Sequence, residues 1–376
     1  MRGTIRQRKS GRWAYGLTIG RDPGTGKRRQ TTKGGFRTQK ECQAALNKVL
    51  NEINAKTYTR PARMTLAAYL TERWLPGLEI RDTTRARYTS IINVHIVKRL
   101  GAVKLEDLTP AHLDDLYRDL RRAGLAPKTV RHVHGVLHAA LKRAVNLELI
   151  SRNVADRVQP AKTKTAKQLG AGLACWSPEQ LGAFLRHVAD DRLAAAWRLV
   201  AQSGMRRGEI VGLRWTDVDL DAGRVTVAHT RVMANYTVTA STPKTDSGNR
   251  SFQLDPATVA ALRRWKLQQA QERLRCGPGY QDSGYCFTNP DGSGVHPQRF
   301  SDWFHQRAKA AGLPRIRLHD VRHSYATAAL AAGLPVKVVS KRIGHANTQI
   351  TMDLYMHALP SMDQEAADKV AAVIDG

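Results

Sequence analysis

The sequence predicts a multidomain, mainly α-helical chain with small β-sheets. It reads as an N-terminal three-stranded sheet plus helix, an all-helical middle segment and an α+β C-terminal portion. Three observations support this. The 376 residues suit two or three domains of roughly 100–200 residues each. Apolar spacing changes along the chain, alternating at first and then recurring every three to four residues. Positive charge is concentrated at one end: the chain carries a net +28, of which residues 1–63 hold +13, residues 64–174 +9 and residues 175–376 +6.

Residues 1–60 form the first module. Trp13, Tyr15, Leu17 and Ile19 share one parity and so one face of a strand. Turn signals at Lys9-Ser10-Gly11 and in residues 22–26 make it the middle strand of three. Thr38 and Glu41 predict a capping box, and the helix behind it presents Cys42, Ala45, Leu46, Val49 and Ile53 to one sheet face. The other face is left to present Arg and Lys. Residues 56–63 read as a linker in which Pro61 stops the helix.

Residues 64–157 read as all-helical, with apolar stripes over Leu66–Leu75, Thr83–Arg99, Pro110–Ala123 and Pro127–Leu149. Thr109 caps the third of these and Pro110 takes its first helical position. The fourth turns Val130, Val133, Leu137, Ala140, Leu141 and Val145 to one side, with Arg131, His132, His138, Lys142 and Arg143 on or beside the other. Residues 158–174, basic and without a periodic stripe, read as a second linker.

Residues 175–376 open on Ser177-Pro178-Glu179-Gln180, a capped helix start, and the helix is expected to run to about Ala201. A short β-meander follows over Val225–His229, Tyr236–Ala240 and Ser251–Leu254; the remainder is helical. The tail from Pro360 carries an apolar stripe at Ala366, Val370, Ala371 and Ile374.

Composition narrows the function. No apolar run reaches the ~18 residues of a membrane span, and the start, MRGTIRQRKSGRW, has no apolar stretch behind its charges. Cys42, Cys175, Cys276 and Cys286 form no CxxC pair, which argues against a zinc ribbon or disulfide scaffold and for a reducing, cytoplasmic setting. The charge surplus calls for a polyanion, and DNA is the best candidate because each neutralised phosphate releases a counterion. There is no GxxxxGK[ST], no GxGxxG and no carboxylate cluster suited to two-metal chemistry, so neither cofactor nor metal is expected.

Four segments near the C-terminus are the informative ones. They are Ser203-Gly204-Met205-Arg206-Arg207-Gly208-Glu209, Pro243-Lys244-Thr245, Leu318-His319-Asp320-Val321-Arg322-His323 and Ile343-Gly344-His345, with Tyr355 ten residues beyond His345. In this order and spacing they resemble the catalytic domain of the tyrosine recombinases, the phage-integrase family. The helical segment before them is similar to that family's core-DNA-binding domain, and residues 1–60 resemble the arm-binding domain of longer integrases. Ser203 stands where the family more often has Thr.

The resemblance implies a site-specific recombinase that integrates or excises a mobile element such as a prophage, plasmid or conjugative element. It would act on double-stranded DNA at core and arm sites, as a homo-tetramer in the nucleoid. A directionality factor or host DNA-bending protein would assist, and the tail would cap its own domain or dock on a neighbour. Six site residues follow: Arg206, Lys244, His319, Arg322, His345 and Tyr355. The chemistry is coherent on its own terms. A phosphodiester gains charge on its non-bridging oxygens in the transition state, and two guanidiniums can clamp them. His319, three residues before Arg322, and His345 add donors. Lys244 suits protonation of the leaving 5′-oxygen. Tyr355 would attack phosphorus, its phenol activated by the surrounding positive charge. Glu209 and Asp217 are expected to support Arg206, and Arg207 to lie at the surface. His323 is expected to pack or to be solvated, Tyr325 and Tyr236 to be structural, and Arg250 is the substitute for Lys244. His319 and His323 have a metal-ligand spacing, but no HExxH accompanies them.

Overall fold

The computed structural model describes residues 3–21, 26–54, 64–160, 175–234, 237–241, 248–345 and 347–355, with residues 371 and 374. The chain divides into two compact units, Met1–Thr163 and Lys164–Gly376. The expected linker at 56–63, most of the one at 158–174 and nearly all of the tail from Pro360 lie outside the described residues.

In the first unit, Gly3–Gln7 (β1), Trp13–Arg21 (β2) and Arg28–Phe36 (β3) pair antiparallel in that order. Helix Gln39–Asn54 (α1) packs on them through Tyr15, Leu17, Cys42 and Leu46. The capping box is present: Thr38 Oγ1 accepts from the Glu41 amide at 3.2 Å, and Glu41 Oε2 accepts from the Thr38 amide at 3.4 Å. Cross-strand pairing places Thr4, Arg6, Ala14, Gly16 and Thr32 on the opposite face.

The helical part of this unit follows the apolar stripes closely. Leu66–Ala68 (α2) continues as a π-helical stretch to Trp74. Asp82–Ile91 (α3) continues in the same way through Val97 into Lys98–Leu100 (α4). Pro110–Arg122 (α5) starts on the Thr109 cap, and Pro127–Asn146 (α6) supplies the longest buried stripe, Val130, Val133, Leu137 and Leu141. Tyr69 crosses this core and donates its hydroxyl to the Ala140 carbonyl at 2.8 Å, so its one polar atom is satisfied where it is buried. Val158, expected to open the linker, is instead buried against the helices.

In the second unit, the Ser177–Gln180 box starts Pro178–His187 (α7), but the helix does not run to Ala201. It breaks over residues 188–193 and resumes as Ala194–Ser203 (α8). Asp191 causes the break: its carboxylate accepts from the Leu193 amide at 2.8 Å and from Trp197 Nε1 at 3.0 Å, competing with the helical ladder. Trp176, Phe184, Trp197, Phe300 and Phe304 form the aromatic centre of this core, with Trp197 and Phe300 stacked at 4.5 Å. Such a pair contributes about 0.5–1.5 kcal/mol beyond its buried area.

Arg207–Gly212 (α9) leads into Val218–Asp219 (β4), Arg224–Val227 (β5), Thr230–Ala234 (β6), Thr237–Ser241 (β7) and Arg250–Gln253 (β8). The expected meander is two sheets, β4-β5-β8 and a separate hairpin β6-β7. Glycines on α9 explain the split. A side chain at Gly208 would lie 2.7 Å from the Arg231 carbonyl oxygen, and one at Gly212 would lie 2.7 Å from the Arg231 nitrogen. Their absence lets β6 lie against α9 rather than beside β5. The rest is helical: Pro256–Cys276 (α10), Pro297–Ala310 (α11), Leu318–Ala331 (α12), Val336–Ile343 (α13) and Thr348–Tyr355 (α14). Among the described residues no helix is long and apolar enough to cross a membrane.

Candidate active site

Two left-handed glycines set the site. Gly204 (φ 62°) ends α8, and two residues later Arg206 begins α9 as its N-cap. Glu209, in the first turn, accepts from the Arg206 amide at 2.8 Å and from its Nη1 at 2.8 Å, fixing the guanidinium at the helix mouth. The other arm of Arg206 donates to the Gly344 carbonyl at 2.8 Å. Gly344 (φ 70°) ends α13, and the next residue is His345. One hydrogen bond therefore ties the Arg206 turn to the His345 turn, although 138 residues separate Arg206 from Gly344.

The start of α12 supplies the next pair. Asp320 accepts from the Arg317 amide at 2.8 Å and from the Arg317 guanidinium, capping the helix that carries His319 and Arg322. Arg322 is 2% exposed, and Nη1 donates to the Gly204 carbonyl at 2.8 Å. Its Nη2 is buried without a partner among the described residues. Burial, and then the positive charge of Arg206, pushes the Arg322 pKa down to about 9. A buried guanidinium with an idle donor is costly unless something negative completes it.

The imidazoles feel the same surplus. His319 reaches solvent at one edge, yet desolvation, then His323 and Arg322, hold its pKa down to about 4. Desolvation and the neighbouring Arg322 and Arg206 hold His345 down to about 3. Both rings are therefore neutral at pH 7, each with one donor and one acceptor nitrogen. His345 Nδ1 is hydrogen-bonded to Thr351 Oγ1 at 2.9 Å, and Thr351 is fully buried on α14. Tyr355 lies four residues further along α14, one turn from Thr351 on the same helix face.

The structure thus brings together Arg206, His319, Arg322 and His345, and puts Tyr355 on the helix that His345 contacts. Lys244 lies outside the described residues, as does Tyr236, and of Tyr355 only the backbone position is described. Glu209 supports Arg206 as expected; Asp217 does not. It pairs with His229 at 2.8 Å and caps the Arg214 amide, because the turn after α9 carries it to the β4 side. Arg207 is no surface arginine: it is half-buried and donates to Gln298 and Ser301 on α11. Arg250 cannot stand in for Lys244, since it is 7% exposed and bound to Glu209. His323 packs edge-on to His319, with ring centres 5.2 Å apart. Sequence reasoning missed Thr351 and the Gly344 carbonyl. The position of Thr351, one helical turn before Tyr355, was the available signal.

A half-buried cluster of guanidinium and imidazole donors, with Glu209 already shared between two arginines, fits an anion with several oxygens. Among the described residues no group of three His, Cys, Asp or Glu is placed to hold a metal ion.

Comparison with known proteins gives consistent matches along the chain. An arm DNA-binding domain matches residues 4–53, an N-terminal SAM-like domain of phage integrases residues 68–121, and the phage integrase family residues 177–362. The ICEBs1 integrase of Bacillus subtilis (strain 168) is 27% identical over 98% of this chain and 99% of its own. The tyrosine recombinase XerC-like protein of Caldanaerobacter subterraneus subsp. tengcongensis is 25% identical over 94% of both chains. Among solved structures, the Tn1549 transposon integrase in complex with transposon right end DNA superposes with a TM-score of 0.67 at 20% identity, covering 82% of this chain and 100% of that one. A lambda integrase dimer bound to a core site gives 0.55 at 17% identity, covering 93% of each. These two likenesses establish the shared fold.

Proposed function

The chain belongs to the phage integrase family of tyrosine recombinases, and from its site we propose how it performs the strand breakage and rejoining of a site-specific recombinase. Arg206 and Arg322 clamp the non-bridging oxygens of a DNA phosphodiester, and His319 and His345 donate to the same phosphate. The hydroxyl of Tyr355 attacks phosphorus. The bond from phosphorus to the 5′-oxygen breaks, and Lys244 protonates the departing oxygen. The product is a 3′-phosphotyrosyl link and a free 5′-hydroxyl. That link conserves the phosphodiester energy, so attack by a 5′-hydroxyl of a partner strand reverses the chemistry without ATP or metal.

The observation that carries this reading is the unpartnered, buried Nη2 of Arg322 beside Arg206, His319 and His345. Burial, and then the positive charge around them, hold the pKa values of Arg322, His319 and His345 down in the free protein, and a bound phosphate relieves that cost. The reading extends to the rest of the chain. Residues 1–60 hold arm-type sites, and residues 64–157 and 175–376 each engage the core site. Residues 175–376 carry the chemistry. Four protomers exchange strands between two duplexes in the nucleoid, in the cytoplasm, with a directionality factor or DNA-bending protein assisting. The relatives are integrases of mobile elements, which supports integration and excision as the task.

The test is a joining assay on two DNA fragments, each carrying the junction of the element that encodes the protein. Recombinant joints formed in EDTA without nucleotide are expected. Binding without joints or covalent adduct would overturn the reading, and relaxation of supercoils without joints would indicate a topoisomerase instead.

A further inference from the structure

Arg250 holds a position that the reaction as described does not use. It sits at the start of β8, six residues after Lys244, with its side chain 4% exposed. Nη2 donates to Glu209 Oε2 at 2.9 Å and Nη1 to Glu209 Oε1 at 3.2 Å. Nε donates to the Arg342 carbonyl at 2.7 Å, in the last turn of α13, two residues before the Gly344 carbonyl that receives Arg206. Nη1 also reaches the Gly248 carbonyl at 3.2 Å. All three nitrogens are engaged, on three different stretches of chain.

Glu209 is shared evenly. Each of its oxygens accepts once from Arg206 and once from Arg250. Despite burial, these donors keep its carboxyl below the ordinary range, with Arg250 the largest contributor. Without Arg250, Glu209 would be a buried carboxylate half-satisfied by a single arginine, free to swing with it.

We propose that Arg250 is a positioning residue for cleavage: by gripping Glu209 and the end of α13 together, it fixes Arg206 and the His345 turn in one geometry against the phosphate. This rests on the reading of Arg206 as a phosphate clamp. A guanidinium is required, because a lysine ammonium cannot span both Glu209 oxygens and the Arg342 carbonyl.

The experiment compares wild type with Arg250→Lys on two nicked substrates, one with the natural scissile phosphate and one with a neutral methylphosphonate in its place. The neutral centre has lost one anionic oxygen and depends less on the clamp. Displacement of a reacting group by about 1 Å costs on the order of 100-fold. The covalent adduct should therefore form about 100-fold more slowly in Arg250→Lys on the phosphate and within about 10-fold of wild type on the methylphosphonate, with DNA affinity unchanged. Equal losses on both substrates, or a wild-type rate on the phosphate, overturn the proposal. If wild type itself forms no adduct, the clamp reading fails instead. Should Arg250→Lys not fold, the double variant Glu209→Gln/Arg250→Met removes both buried charges and takes its place, with the same substrate-selective loss expected.

Discussion

At the scale of single residues, the site is a set of positive and neutral donors short of a counter-charge, and burial together with neighbouring positive charge disfavours protonation of its imidazoles. His319 and His345 have folded pKa values of about 4 and about 3, below the ordinary 6.5. Between those values and 6.5 the unfolded chain binds more protons than the folded one, so stability is complete above about pH 6.5 and is lost as pH falls through the window. Thermal unfolding from pH 7.5 to pH 5 should show wild type losing more stability than His319→Asn/His345→Asn; parallel losses would mean that these imidazoles are not strained in the free protein. Four of the six residues expected at the site, Arg206, His319, Arg322 and His345, lie together in the structure, and short motifs made them legible: Arg206 after a helix-ending glycine and His319 three residues before Arg322. The support around them was not. Glu209 could be named, but Asp217 could not be separated from it without the turn that carries Asp217 to His229. Arg250 read as a spare catalytic cation because burial is invisible in an isolated basic turn.

At the scale of elements, periodicity located nearly every helix of the first unit, since each buries a single stripe against one core. It failed where a local competitor intervened. Asp191 broke a run that otherwise reads as one helix, and the expected strand at 236–240 pairs as β7 with β6, a strand not expected, which lies against two glycines on α9. Gly212→Ala places a methyl group 2.7 Å from the Arg231 nitrogen and 2.8 Å from the Thr230 carbonyl carbon, where backbone must move. Overpacking of this kind costs about 1–3 kcal/mol. A denaturant midpoint lowered to match is expected, while an unchanged midpoint would show that the hairpin yields freely. Because α9 begins at Arg206, the same variant should also slow cleavage.

At the scale of the whole molecule, the charge distribution is the main determinant of binding. The net +28 is densest in residues 1–63, a segment with a core of only a few side chains. Its uncovered sheet face presents Arg6 among small and polar residues, with exposed Arg8 in the turn that follows. Replacing Arg6 and Arg8 by Ala should weaken binding to arm-type DNA and flatten the log-log salt dependence by about 0.9 for each phosphate that is no longer neutralised. Cleavage of an isolated core-type substrate should be unaffected. An unaltered salt slope would mean that this face does not meet the DNA backbone. Composition alone disclosed the polyanion; the base sequence of the sites is read by side chains in a geometry that no spacing rule encodes.

In the proposed reaction the Tyr355 hydroxyl attacks a phosphate held by Arg206, Arg322, His319 and His345. The most direct measurement traps that bond. The full chain is incubated with a nicked duplex of its own attachment site, so that the short cleaved strand diffuses away, and the adduct is digested and mapped by mass spectrometry. Nucleotide is expected on the peptide containing Tyr355, and none in Tyr355→Phe, which binds the duplex as tightly as wild type. An adduct that persists in Tyr355→Phe, or that maps to another residue, would contradict it.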